Sequence, residues 1–259
     1  EVTTATYFDI VDSIDGLRQD MESEDDPTRW VLNVNGIESD IDAIDYYVYP
    51  GDMVQFDLSY WDTTLTTRAT VGAFPQTFTR GMYGKRFPVR LECARPASVP
   101  CRRVDRRLRA AGLRPDGSPP PPPAPHVVPQ PDIPSQIRRS KVLVGTWAQL
   151  RNRRWMDRID EGPRYSGVFA TFTANSRRLR LYDPSGSVRQ TEATGTGMIA
   201  AMKPTGEDLV WLVTGVDELG VERASRALDS ADLLDAFAIV VTDDGVRKIP
   251  VVDSGDDAP

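Results

Sequence analysis

The chain has 259 residues, of which 40% are hydrophobic, and a formal net charge of −7. That is enough apolar content for sizeable cores and enough length for two domains, and no run approaches the roughly 18 to 20 apolar residues of a membrane helix. The opening "EVTTATYFDI" has neither the basic start nor the apolar centre of a signal peptide.

In chain order, Val11 to Leu17 reads as a strand reaching the Asp15-Gly16 turn, followed by a solvated acidic loop, "DMESEDDP". Alternation in "WVLNV" sets Trp30, Leu32 and Val34 on one face, and "MVQFDLS" does the same for Val54, Phe56 and Leu58, so both predict half-buried strands. Asn35-Gly36 is a type I′ hairpin signal, and Pro50-Gly51-Asp52 predicts a turn between a strand "YYVY" and "MVQF". "FPVRLEC" then predicts a strand. "CRRVDRRLRAAG" predicts a helix with Val104, Leu108 and Ala111 inward, Arg102, Arg103, Arg106 and Arg107 elsewhere, and a stop at Gly112.

Residues 115–140, with "PDGSPPPPPAPHVVPQPDIPSQ", favour an extended polyproline conformation. This is a spacer or long loop rather than an SH3-type ligand. It falls between the helix and the strand "KVLVG", so the strand, helix, strand unit starting near Phe87 makes the proline run an excursion within a domain. Beyond it the sequence predicts the helix "TWAQLRNRRWMDRI", strands "SGVFATF" and "RRLRLYD" with a Pro184-Ser185-Gly186 turn, then the strands "GMIAAMK" and "LVWLVTG". A helix "DELGVERASRALDS" and strands "FAIVVTD" and "VRKIPVV" follow, and 253–259 reads as a disordered tail. Apolar strands with intervening helices argue for a sheet covered on at least one face. The expected organisation is a β module over 1–80 and an α/β domain with a mixed sheet over 81–252, an α+β chain.

Charge is unevenly spread: Glu1 to Tyr60 is acidic with only Arg18 and Arg29 opposing, whereas Trp61 to Arg114 is arginine-rich. The expectation is mutual neutralisation of packed neighbours, with no nucleic-acid partner.

Catalytic options are few. The single histidine, His126, sits in the proline tract, where nothing rigid orients it as a base, and two cysteines with one histidine cannot make a structural zinc site. The acids from Asp9 to Asp26 lack the EF-hand spacing. Gly195-Thr196-Gly197-Met198-Ile199-Ala200 matches a dinucleotide fingerprint in letters, yet it leads into a predicted strand where that fingerprint must open a helix. Thr214-Gly215 before a helix capped by Asp217 is an anion-binding geometry or a plain strand-to-helix connection. No catalytic residue and no metal ligand is assigned.

The remaining candidates are aromatic. Tyr46, Tyr47, Tyr49, Tyr60 and Trp61 cluster in the front module, and Tyr46 and Tyr47 must face opposite ways if they share a strand, so that one is free to line a ligand surface. Tyr46, Tyr47, Tyr60 and Trp61 are therefore the candidate ligand-binding residues. Cys93 and Cys101 flank a seven-residue loop, "ARPASVP", long enough to return a strand end to the next helix; a disulfide fits, against a buried pair of free thiols. A bridge there would place the protein outside the cytoplasm.

The segments "DIVDSIDGL", "WVLNVNGIESDIDAIDYYVYPGDMVQFDLSYWD" and "VGAFPQTF" together resemble the bacterial transcobalamin-like C-terminal domain family, and "GKRFPVRLEC" and "LVWLVTGVDELGVERASRAL" resemble its long actinobacterial secreted and lipoprotein form. The resemblance implies a β-grasp-like front module, a secreted or lipid-anchored place at the cell surface, and kinship with the domain that caps cobalamin in animal transport proteins. It carries over no corrinoid-contacting residue, and the family's leading strand pair is expected to have been removed or to lie outside this chain, which reads "ATYFDIVDSIDG" there. The expectation is a non-catalytic envelope protein that binds a corrinoid or similar small nutrient. The alternatives are a structural or adhesive protein pairing with an envelope protein partner through an exposed sheet edge, and a carboxylate enzyme.

Overall fold

The computed structural model describes residues 2–4, 11–23, 27–60, 69–121, 130, 137–204 and 208–252. Its front carries two antiparallel three-stranded sheets: β1 (Val2–Thr4), β2 (Val11–Ile14) and β3 (Leu17–Arg18) in that order, and β4 (Thr28–Val34) between β5 (Ile37–Glu38) and β6 (Val54–Tyr60). The Asn35-Gly36 hairpin forms as expected, with φ of +54° and +75° at the two turn residues. Alternation is less faithful. Val31 and Asn33 are buried on the other face of β4, while Val54, expected inward, is 42% exposed.

The "YYVY" segment is not a strand. Ala43–Asp45 is a single 3-10 turn, and Tyr46 to Tyr49 run outside any sheet. A side chain takes the backbone groups a strand would use: Gln130 Nε2 donates to the Asp45 carbonyl (2.6 Å), and its Oε1 accepts from the Tyr47 N–H (3.2 Å).

A short helix, α1 (Gln76–Thr79), precedes the expected strand, helix, strand unit of β7 (Val89–Cys93), α2 (Val99–Ala110) and β8 (Arg139–Thr146). β7 and β8 pair in parallel. Val104 and Leu108 of α2 are fully buried, and its arginines find acidic or polar neighbours: Arg107 pairs with Asp229, Arg109 with Asp105, and Arg103 donates to Ser225. Of the five arginines of α2, Arg107 and Arg109 thus meet a carboxylate.

The predicted helix "TWAQLRNRRWMDRI" is broken into α3 (Trp147–Leu150) and α4 (Asp157–Asp160). Trp155 between them adopts φ of +76°, which a continuing helix forbids, and its Nε1 donates to the buried Asp208 carboxylate (3.0 Å). After α5 (Pro163–Ser166) come β9 (Ala170–Phe172), β10 (Leu179–Tyr182) and β11 (Val188–Glu192), an antiparallel sheet whose outer strand β11 is not among the expected strands. β12 (Gly197–Met202), β13 (Asp208–Gly215), α6 (Glu218–Arg226), α7 (Ser230–Leu233), β14 (Ala238–Val241) and β15 (Val246–Ile249) complete the chain.

The protein is thus mixed α+β around a six-stranded mixed sheet in the order β15-β14-β12-β13-β8-β7, with β13, β8 and β7 parallel and the others antiparallel. Both faces are covered. Leu209, Trp211 and Val213 of β13 face α2, α6 and the front module, while Val210 and Leu212 face Trp147, Leu150, Met156, Leu179 and Leu181. Val34, Ile37 and Tyr46 of the front belong to the same buried cluster as Trp211, whose ring lies 4.9 Å from that of Phe78. Each large apolar side chain fully buried there contributes about 1.5–3 kcal/mol. The buried Lys203 ammonium also reaches both carboxylate oxygens of Asp40 (2.7 and 2.9 Å), an ion pair joining the front to the end of β12.

Candidate functional site: an aromatic slot between the front module and the central sheet

The Cys93–Cys101 disulfide is present, with Cα atoms 5.9 Å apart, and links the end of β7 to the first turn of α2. Ser98 caps that helix, accepting from the Cys101 N–H (3.3 Å). Neither cysteine is a free thiol.

The glycine-rich run is used for packing. Gly197 opens a strand, and a Cβ on it would lie 2.1 Å from the Gly220 carbonyl oxygen; a Cβ on Gly220 would lie equally close to that of Thr196. The glycines let α6 approach the β12 backbone. The adjoining helix start is likewise satisfied internally, because Asp217 accepts from Gly220 N–H (2.9 Å) and Gly195 N–H (2.8 Å).

The tyrosine cluster divides. Tyr46 is buried: its ring stands 5.1 Å from that of Tyr83, and its hydroxyl accepts from the Tyr83 N–H (3.1 Å). Burial raises its pKa well above the ordinary tyrosine value, and also raises those of Tyr49 and Tyr83. Tyr46 is therefore a core residue with no face free for a ligand, which corrects the expectation that it lines a binding surface. Tyr47 points outward and is 63% exposed, yet its backbone is engaged by Gln130. Tyr60 lies apart from both, at the end of β6. Trp61 and His126 lie outside the described residues, as do most of the proline run and the 253–259 tail.

Tyr60 lines a slot of about 340 Å³ between the front module and the central sheet. Leu58 and Tyr60 come from β6, Phe169 from just before β9, Phe237 from just before β14, and Ile249 and Pro250 from the end of β15. Phe169 and Phe237 meet edge to face, with ring centroids 6.2 Å apart. Each wall has a cause. The Val71 N–H donates to the Phe237 carbonyl (3.0 Å), and the Val251 N–H to that of Tyr182 (2.8 Å). Gly72 permits this approach, since a Cβ there would lie 2.9 Å from the Ala236 nitrogen.

Among the described residues the lining carries one carboxylate, the exposed Asp235, and one ammonium, the exposed Lys248, with apolar and aromatic groups between. Asp235 has φ of +55°, a conformation that aspartate tolerates better than most residues. One acid and one lysine around an apolar cavity can orient an amphiphile; the described lining residues do not include the carboxylate pair of glycoside hydrolysis.

A second depression, of about 240 Å³, lies over Met82, Tyr83, Arg86, Phe87 and Ile137. Its rim anchors the proline excursion, through Arg86 to the Pro121 carbonyl (2.6 Å) and Gln130 N–H to the Tyr83 carbonyl (3.2 Å). The slot at Tyr60 is the better ligand site, since no such anchor crosses it among the described residues.

Phe169, Phe237, Asp235 and Lys248 were not candidates from the sequence. Both phenylalanines stand in strand-like apolar runs that read as core, and no local pattern marks which ring meets a cavity. Among the described residues, no helix is long and apolar enough to cross a membrane, and no three His, Cys, Asp or Glu side chains are grouped to hold a metal ion. No protein-family model matches the chain, and no curated protein is significantly similar to it.

Proposed function

We propose that this chain is a non-catalytic binding protein of the extracytoplasmic space, secreted or lipid-anchored, and that the Tyr60, Phe169 and Phe237 slot holds its ligand. The carrying observation is the slot itself: concave, aromatic, placed between two packed units, with a single charge of each sign at its rim among the described residues. The disulfide supports an oxidising compartment. The ligand class is a small, mainly apolar molecule bearing a polar end.

A corrinoid is the first ligand to test, because the front module resembles the transcobalamin-like C-terminal domain family with its β-grasp-like architecture. A cavity of about 340 Å³ would hold a ring or side arm of such a molecule and leave the macrocycle outside. The test is a visible-absorbance and calorimetric titration of the oxidised chain with cobalamin and with cobinamide, repeated on Lys248→Glu and Phe237→Ala. Saturable binding weakened about tenfold or more by either substitution supports the reading. Heat and spectra unchanged by both corrinoids would remove them as ligands, and failure of an apolar fluorescent dye to enter the slot would overturn the slot as a site. A strand-pairing adhesive role has one supporting observation, the position of β6 as an outer strand of its sheet. It predicts a dimer in solution that disappears when proline replaces Val54 or Phe56, whose N–H groups point away from β4.

A further inference from the structure

The tyrosine loop is organised around one side chain. Gln130, from the proline-rich excursion, is 8% exposed, and its polar groups meet protein partners. Its Oε1 accepts from the Tyr47 N–H (3.2 Å), its Nε2 donates to the Asp45 carbonyl (2.6 Å), and its own N–H donates to the Tyr83 carbonyl (3.2 Å). The Tyr49 hydroxyl also hydrogen-bonds to the Gln130 backbone. Tyr83 in turn is held by the Tyr46 hydroxyl and by Asp40, whose N–H donates to the Tyr83 hydroxyl (3.0 Å).

This set of contacts reads a primary amide. Asparagine and glutamine offer an acceptor and a donor side by side on one planar amide at neutral pH, and asparagine is a methylene shorter. A glutamate would set a carboxylate against the Asp45 carbonyl, and a leucine would leave the Tyr47 N–H and Asp45 carbonyl unsatisfied. In sequence the glutamine stands between Pro129 and Pro131, which restrict the backbone to extended conformations and so lower the entropy lost on docking.

We propose that residues 45–49 together with Tyr83 form a recognition surface for a proline-flanked glutamine, filled in the resting molecule by Gln130 of the same chain. Gln130 is then a ligand side chain held in cis, and the surface becomes available to the same motif whenever Gln130 leaves. This inference stands independently of the slot at Tyr60.

The test is residue-resolved hydrogen exchange on the full chain and on Gln130→Ala. Losing the hydrogen bond to Gln130 should speed exchange of the Tyr47 amide by about tenfold, with amides of β13 unchanged. Adding a free peptide of residues 126–134 should restore protection in Gln130→Ala, and the same peptide with glutamate replacing the glutamine should not. Gln130→Glu keeps the shape and supplies a second check: the loop should open at neutral pH and close again at about pH 3, where the carboxyl regains a proton to donate. Unchanged Tyr47 exchange in Gln130→Ala, or equal rescue by the glutamate peptide, overturns the proposal. Protection that falls on dilution of the native chain would overturn the assignment in cis and give the occupant to a second copy.

Discussion

Tyr46 and Asp208 respond to pH in opposite directions. Burial raises the Tyr46 pKa above the ordinary 10.0, so the folded chain binds that proton more tightly than the unfolded one. Its contribution to stability is complete below pH 10 and is lost as the pH climbs toward the folded value. For Asp208 burial alone would raise the pKa, but hydrogen bonds from Arg139 and Trp155, with the Arg139 charge, outweigh it and hold the group below 3.8. Its contribution is present above that value and is lost as the pH falls through the lower, folded one. Thermal melts across pH should therefore show a steep alkaline limb that Tyr46→Phe flattens and an acid limb that Asp208→Asn flattens. At neutral pH Tyr46→Phe should cost about 1–2 kcal/mol, because it orphans the Tyr83 N–H. At this scale the sequence was legible for a reason that did not hold. Tyr46 and Tyr47 do face opposite ways, yet they share no strand, and a glutamine more than a helix and a strand away sets their backbone.

The sheet elements were the most readable, because buried strands such as Leu209 to Val213 and Phe237 to Val241 are continuous apolar runs. β11 escaped notice since its residues from Val188 to Glu192 are mostly polar and stand at a sheet edge, where no burial pattern is imposed. The helix over 146–159 was misread because apolar spacing cannot report a tryptophan drawn into a left-handed turn by a distant carboxylate. The contact of α6 with β12 depends on two glycines, and helix propensity alone would favour alanine at Gly220 by about 1 kcal/mol. The clash with the Thr196 carbonyl reverses that sign. Gly220→Ala should lower the unfolding free energy by about 2 kcal/mol in a denaturant titration, and an unchanged or raised midpoint would show that α6 can withdraw freely. The disulfide staples α2 to β7 across a sequence separation of 8, and the Cys93→Ser, Cys101→Ser double variant should lose about 2–3 kcal/mol in the same assay.

Across the whole molecule, the front and the central sheet are joined by a shared apolar cluster and by the Lys203–Asp40 pair. The Lys203 side chain is 1% exposed, so removing its partner strands a charge in the interior. Asp40→Ala should cost about 3–5 kcal/mol, and Lys203→Met should restore much of that loss in the double variant, a non-additivity that a thermodynamic cycle measures. The slot was the least legible feature because its aromatic walls, Tyr60, Phe169 and Phe237, come from three distant segments whose meeting depends on that joint. A last consequence concerns the far side of the sheet. Along β7 the Leu91 N–H donates to the Pro115 carbonyl and the Gly117 N–H to that of Val89, each at 2.9 Å, so the start of the proline-rich segment already occupies the outer edge. A neighbouring molecule therefore finds those hydrogen-bonding groups taken, followed by prolines that cannot donate, and lateral growth into fibrils is capped on that side at high concentration.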